Sequence, residues 1–308
     1  MARRRALSTA ALAATAALVV SAAPAHAANP SYVALGDSYS SGTGTRSYIS
    51  DGTSCLRSVY AYPSLIASAK GYDLNFRACS GAKIVDVSNT QLSALSNCNG
   101  AIDKAQAYVN QTLPGALNTL YANIKARAPQ AKVTVVGYPH IFNGVDCNLL
   151  TWFSASEMTR LNAMADLVNS TTRARATAAG FSFADPTTPF VGHAVCSSSE
   201  WINGLSNPIQ ESYHPNRTGQ ASGYTPTVSP YLTGSTVTAT AALLTTAKGS
   251  TKRLADQQKR YAASDRAIKP ALVLAPDLST PAAKAAAKKA GVDLSSRASI
   301  DAVDRVYS

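Results

Sequence analysis

Past residue 23 the chain has no apolar run long enough to cross a bilayer. No two of its five cysteines lie close enough together to read as a zinc site. Beyond residue 27 only three histidines remain, His140, His193 and His214, so imidazole chemistry has few places to sit. Strong charge of one sign is also missing from the middle of the chain. Of the formal net charge of +11, three arginines fall in the first 27 residues, and residues 235–308 hold 12 Lys/Arg against 6 Asp/Glu. The body between them carries 13 Lys/Arg against 11 Asp/Glu, a balance that argues against a nucleic-acid groove.

What is present begins with a leader. Arg3, Arg4 and Arg5 precede an Ala/Leu/Val run through Ala23, and Ala25-His26-Ala27 has the small-x-small form of a cleavage site. Residues 1–27 read as a secretory signal peptide, with Sec and twin-arginine export both open. A secreted, extracellular protein is expected, in a compartment that favours disulfides. Five cysteines is an odd number and leaves one thiol without a mate.

The remaining chain, 46% hydrophobic and 15% charged overall, suffices for one sizeable core with an appendage. Strands are predicted at 32–35, 72–78, 132–139 and 181–185, and helices from Tyr62, over 101–109, 113–126 and 156–179, with short Ala/Lys-rich helices at 252–268 and 281–306. Strands alternating with helices imply a parallel α/β sheet with its ligand site at the carboxyl ends of the strands. From Thr233 the composition shifts to Thr/Ser/Ala without a core pattern. The expected division is a leader (1–27), a catalytic-type domain (28–233), and a linker with a basic helical or disordered tail (234–308). The tail reads as a solvated face or as a contact to an anionic cell wall or lipid surface.

Tyr32-Val33-Ala34-Leu35-Gly36-Asp37-Ser38 is the pivotal stretch: a short apolar run that breaks at Gly36 and puts Ser38 on a strand-end turn. Alone it also reads as an ordinary turn. A serine nucleophile needs a base within hydrogen-bond reach. His140 and His193 read equally as loop histidines satisfied by a hydrogen bond, whereas His214 lies in the polar loop Glu211-Ser212-Tyr213-His214-Pro215-Asn216.

Gly36-Asp37-Ser38-Tyr39-Ser40-Ser41-Gly42, Ala78-Cys79-Ser80-Gly81-Ala82 and Ser212-Tyr213-His214-Pro215-Asn216 together resemble the SGNH (GDSL) hydrolases, most closely the secreted bacterial esterase/lipase branch. The similarity covers roughly residues 29–232. It implies a flavodoxin-like three-layer α/β/α sandwich that hydrolyses carboxylic esters, of small molecules or lipids including phospholipids, with no metal or cofactor. A monomer is expected. Carried onto this chain, Ser38 is the nucleophile, His214 its base, and the N–H groups of Ser38 and Gly81 are oxyanion donors. Glu211 stands where many members carry the acid that orients the histidine; in other relatives a backbone carbonyl does this, here that of Ser212. Both remain open.

The resemblance also implies a Gly-x-Asn-Asp turn after a central third strand, with its asparagine as a third oxyanion donor. No such block follows Gly81, and Asn97 and Asn99 are weak substitutes. The expected disulfides are Cys55–Cys79 and Cys147–Cys196, which leaves Cys98 with its usual partner in the absent block. Without strand three the sheet loses its centre, and turnover is expected to be reduced. The competing expectations are a non-catalytic relative that binds acyl, glycan or cell-wall ligands, and a carbohydrate deacetylase.

Overall fold

The apolar run at 31–34 forms β1 (Ser31–Ala34), which pairs in parallel with β2 (Asp73–Phe76), Ser31 opposite Asp73 and Ala34 opposite Phe76. A second parallel pair is β3 (Thr134–Val136) with β4 (Ser182–Ala184). This computed structural model describes residues 30–82, 98–145, 153, 155–204, 206, 209–266, 268, 281–293, 295, 296 and 299. The predicted leader, Cys147 and residues 83–97, where the Gly-x-Asn-Asp block would fall, lie outside the described residues.

Between the strands run α1 (Ser38–Ser41), α2 (Tyr62–Lys70), α3 (Cys98–Gln111), α4 (Leu113–Arg127) and α5 (Ala155–Ala178). Pro63 occupies the first turn of α2, where its missing N–H costs nothing, and Gly71 closes the helix at φ +67°. Alternation along β3 assigns its faces. Val133 and Val135 join Leu117, Tyr121, Ala176 and Phe181 under α4 and α5, while Val136 joins Tyr62, Ile66, Tyr224 and Val228 on the other side. Helices on both faces of parallel strands make this the expected α/β sandwich.

Among the described residues β1 bonds only to β2 and β3 only to β4, so the strands form two separate pairs. Val33 on β1 and Leu35 just after it remain exposed.

After residue 216 the described chain is largely helical. A π-helical stretch, Gly219–Tyr224, runs into α6 (Thr225–Thr233). Its glycines are required by close approach: a Cβ at Gly219 would lie 2.2 Å from the Trp201 carbonyl oxygen, and one at Gly223 2.3 Å from the Phe190 ring. Residues expected as a linker form α7 (Ala241–Gly249), and within the two stretches read as short helices lie α8 (Thr251–Lys259), α9 (Ala262–Asp265) and α10 (Pro281–Ala290).

These segments dock on the body. Ala247 packs with Leu65 and Ala221, and Leu254 and Ala255 enter the core beneath β1 and β2. Burying one leucine stabilises by roughly 1.5–3 kcal/mol. Asp73 and Arg77 donate their N–H groups toward β1, so the Phe76 groups face the outer edge of β2. Oriented to satisfy both, the Gln258 amide donates to the Phe76 carbonyl at 3.0 Å and accepts from its N–H at 3.2 Å. A side chain thus occupies an edge that would otherwise expose unpaired backbone groups. Part of the basic excess is also used internally: Lys252 and Lys259 both pair with Asp256.

Candidate active site

The chain leaves β1 through Gly36, at φ +138°, where a Cβ would sit 2.6 Å from Ser40 Oγ. Asp37 then caps α1, one carboxylate oxygen accepting from Tyr39 N–H at 3.0 Å. Its other oxygen accepts from the Tyr138 hydroxyl at 2.5 Å. The Asp37 charge, with burial, pushes the Tyr138 phenol well above its ordinary range. Ser38 is the first residue of α1, displayed at the carboxyl end of β1.

His214 comes from the far end of the domain on a short antiparallel pairing. Asn203 N–H donates to the His214 carbonyl at 2.8 Å, and Tyr213 N–H to the Asn203 carbonyl at 2.9 Å. Tyr213 takes a left-handed φ of +59°, a conformation held by that pairing. Gly44, at φ +97°, lets the loop after α1 approach: a Cβ there would lie 2.8 Å from the Pro215 carbonyl and 2.9 Å from His214 Cβ.

The result brings together two residues far apart in sequence. His214 Nε2 lies 2.7 Å from Ser38 Oγ, and His214 Nδ1 lies 2.8 Å from the Ser212 carbonyl oxygen. A carbonyl can only accept, so Nδ1 carries the proton in the neutral ring and Nε2 is left to accept from the serine hydroxyl. Burial pulls the His214 pKa below its ordinary 6.5, while the Ser212 carbonyl and the Asp37 charge pull the other way.

Glu211 does not reach the imidazole, which corrects one of the two expectations for the orienting group. Its carboxylate accepts from the Tyr48 hydroxyl at 2.5 Å and lies 3.3 Å from Arg46 Nε. The Ser212 carbonyl holds that place instead.

The second turn is tied to the first. Cys55 and Cys79 are joined by a disulfide, Ser80 N–H donates to the Cys55 carbonyl at 2.9 Å, and Cys79 N–H to the Gly36 carbonyl at 3.0 Å. Ala82 N–H closes a turn onto the Cys79 carbonyl at 2.9 Å, with Gly81 at φ +83°. Neither the Ser38 nor the Gly81 N–H has a hydrogen-bond partner among the described residues. Cys196 is also disulfide-bonded, and Cys147, the partner expected for it, lies outside the described residues.

The other histidines are engaged elsewhere: His140 with Asp166 at 2.8 Å, and His193 stacked on Trp201 at 3.6 Å with Nδ1 on the Ser199 carbonyl. The amides of Asn162, Asn169 and Asn203 are bonded to the backbone oxygens of Phe142, Tyr138 and Gly44. Asn97 lies outside the described residues, and Asn99 falls in the first turn of α3. Among the described residues no group of three or more His, Cys, Asp or Glu side chains could hold a metal ion. Sequence reasoning missed Tyr138 and Gly44. The only signal for Tyr138 was its position near the end of the most apolar predicted strand.

Comparison with known proteins gives the family. The GDSL-like lipase/acylhydrolase family matches residues 34–221. A lipase of Streptomyces rimosus is 40% identical over 227 residues, covering 63% of this chain and 84% of that protein. Lipase 1 of Streptomyces coelicolor is 40% identical over 228 residues, with the same coverage. Among solved structures, an extracellular lipase from Streptomyces rimosus superposes with a TM-score of 0.60 at 37% identity, over 67% of this chain and 100% of the other. A phospholipase A1 from Streptomyces albidoflavus NA297 gives 0.57 at 36% identity, over 65% and 98%. The chain therefore belongs to the GDSL-like lipase/acylhydrolase family, whose members hydrolyse carboxylic esters.

Proposed function

We propose that this chain is an exported serine esterase or lipase that works through an acyl-enzyme on Ser38. The observation that carries the reading is the continuous hydrogen-bond chain from the Ser38 hydroxyl through His214 to the Ser212 carbonyl. His214 Nε2 takes the hydroxyl proton as Ser38 Oγ adds to the ester carbonyl. The new oxyanion meets the free N–H groups of Ser38 and Gly81. Collapse breaks the ester C–O bond, and the alcohol leaves with the proton from Nε2. Water then repeats the sequence on the acyl-enzyme, releasing the acid and restoring Ser38. Ser212 keeps the proton of the resting imidazole on Nδ1 throughout.

Among the described residues two backbone donors are placed for the oxyanion, where the family resemblance implies three. Losing one such donor typically costs about 10²–10³ in kcat, so turnover below that of three-donor relatives is expected. Phe142, Phe153 and Tyr213 cluster with ring centroids 5.3–5.7 Å apart. These rings belong to the core cluster that reaches the base through Tyr213, the residue before His214, and an apolar surround favours an acyl substrate. The names of the relatives, lipase and phospholipase A1, point the same way. Export is supported by the leader pattern and by the extracellular relative.

The test compares mature protein with Ser38→Ala on p-nitrophenyl acetate and p-nitrophenyl palmitate. Loss of at least 10³-fold in the variant supports the acyl-enzyme. Hydrolysis unchanged by the substitution removes it, and turnover of acetate alone favours the deacetylase reading.

A further inference from the structure

The C-terminal segment reaches the site through a buried network of charges. Arg57 is 1% exposed and every arm of its guanidinium is committed. Nε–H donates to the Ala78 carbonyl at 2.8 Å, Nη1 meets Asp51 at 2.6 Å, and Nη2 meets Asp265 at 2.7 Å. Asp265, also 1% exposed, holds Arg77 Nη2 with its other oxygen at 2.5 Å, and Arg77 lies 4.0 Å over the Tyr261 ring. Two cations and two anions balance, and each carboxylate is matched to a donor. Ala78 is the residue from which the Cys79-Ser80-Gly81 turn springs. The family match ends at residue 221, so Asp265 lies outside the region that supplies Ser38, Gly81 and His214.

We propose that Asp265 is a positioning residue for the oxyanion turn. It aims the Arg57 fork at the Ala78 carbonyl, and this fixes the direction of the Gly81 N–H. The inference rests on Gly81 serving as an oxyanion donor. Removing the Asp265 charge leaves a buried guanidinium arm unpaired, and the fork must turn to find another partner. The Ala78 carbonyl then loses its donor and the turn can shift. A donor aimed at the tetrahedral oxyanion acts on the transition state and hardly at all on bound substrate. A misplacement of about 1 Å is worth up to about 10²-fold in rate. The effect therefore appears in kcat and leaves KM unchanged.

The experiment measures kcat, KM and the acid limb of the pH profile for full-length Asp265→Asn, well below its melting temperature. The expected result is a kcat fall of about 10- to 100-fold, KM within about twofold, and an unmoved acid limb. Asp265→Glu, which keeps the charge, recovers part of the loss. Leu254→Ala, which loosens the same segment without touching the network, lowers the melting temperature and leaves kcat within about twofold of wild type. Should Asp265→Asn not fold, Arg77→Gln carries the test, with a smaller kcat fall at constant KM. Full kcat in the variant that folds, a rise in KM alone, or an equal kcat loss in Leu254→Ala would overturn the proposal. If Ser38→Ala still hydrolyses ester, the acyl-enzyme reading falls and this inference with it. If Ser38→Ala is dead and Asp265→Asn is not impaired, only this inference falls.

Discussion

The Asp37 carboxylate and the Tyr138 hydroxyl meet at 2.5 Å, joining the turn after β1 to the segment that follows β3. No strand pairing links those two elements among the described residues, so this bond ties together the two halves of the sheet at the site. Tyr138→Phe keeps the ring against Tyr39, 5.1 Å away, and removes only the donor. A hydrogen bond to a charged group is worth about 1.5–3 kcal/mol, and the variant is expected to lose that much in urea unfolding. The Ser38 turn loosens with it, and kcat falls. Wild-type stability and kcat in Tyr138→Phe would refute this account of the junction.

The base must be neutral to act, so the rate rises as pH climbs through the His214 pKa. Burial lowers that pKa below 6.5, and the acid limb of kcat/KM is expected below pH 6.5. Linkage has the same sign. The folded pKa is depressed, so the stability contributed by the neutral ring is complete above about pH 6.5 and is lost as pH falls through the lowered value. A pH–rate profile that inflects above 6.5 would contradict the buried geometry.

Glu211 makes its contacts with Tyr48 and Arg46 rather than with His214. Glu211→Gln is therefore expected to cost about 1–3 kcal/mol of stability while kcat stays within about threefold. An acid that truly orients the histidine would cost about 10⁴ in kcat on loss of its charge. The two outcomes are far enough apart for a single initial-rate measurement to separate them.

Gly44→Ala places a methyl against the Pro215 carbonyl and His214 Cβ at a left-handed φ of +97°. The conformational strain alone is about 1–3 kcal/mol. The loop that carries His214 must move, and kcat is expected to fall by about tenfold or more, a misplacement effect. Stopped turnover with a near-native melting curve would identify the displacement; unchanged turnover would show that the loop yields without moving the imidazole.

Much of the site was legible because its chemistry is local in sequence. Gly36, Ser38, Gly81 and His214 each sit in a short run whose residue types restrict the backbone, and the alternating strands located their carboxyl ends. The orienting group was not legible. Whether Glu211 or the Ser212 carbonyl faces the imidazole depends on the left-handed turn at Tyr213, which only the pairing with Asn203 determines. The π-helical stretch left no sequence signal because Gly219 and Gly223 owe their place to close contact with Trp201 and Phe190 from elsewhere in the chain. Helix was legible over 252–268, but α7 and the docking of the segment were not: it packs through alanines, Leu244, Leu254 and side-chain polar groups, and such a surface leaves no strong period in the sequence.

The Gln258 amide on the rim of β2 has a consequence for the order of assembly. A ribosome delivers β2 nearly two hundred residues before α8. Until that late helix arrives, the Phe76 peptide groups present a bare rim to any passing extended chain, the usual template for unwanted strand addition. The final quarter of this polypeptide thus acts as a guard for its first, and a nascent or clipped chain that stops short of residue 258 is expected to self-associate through that rim.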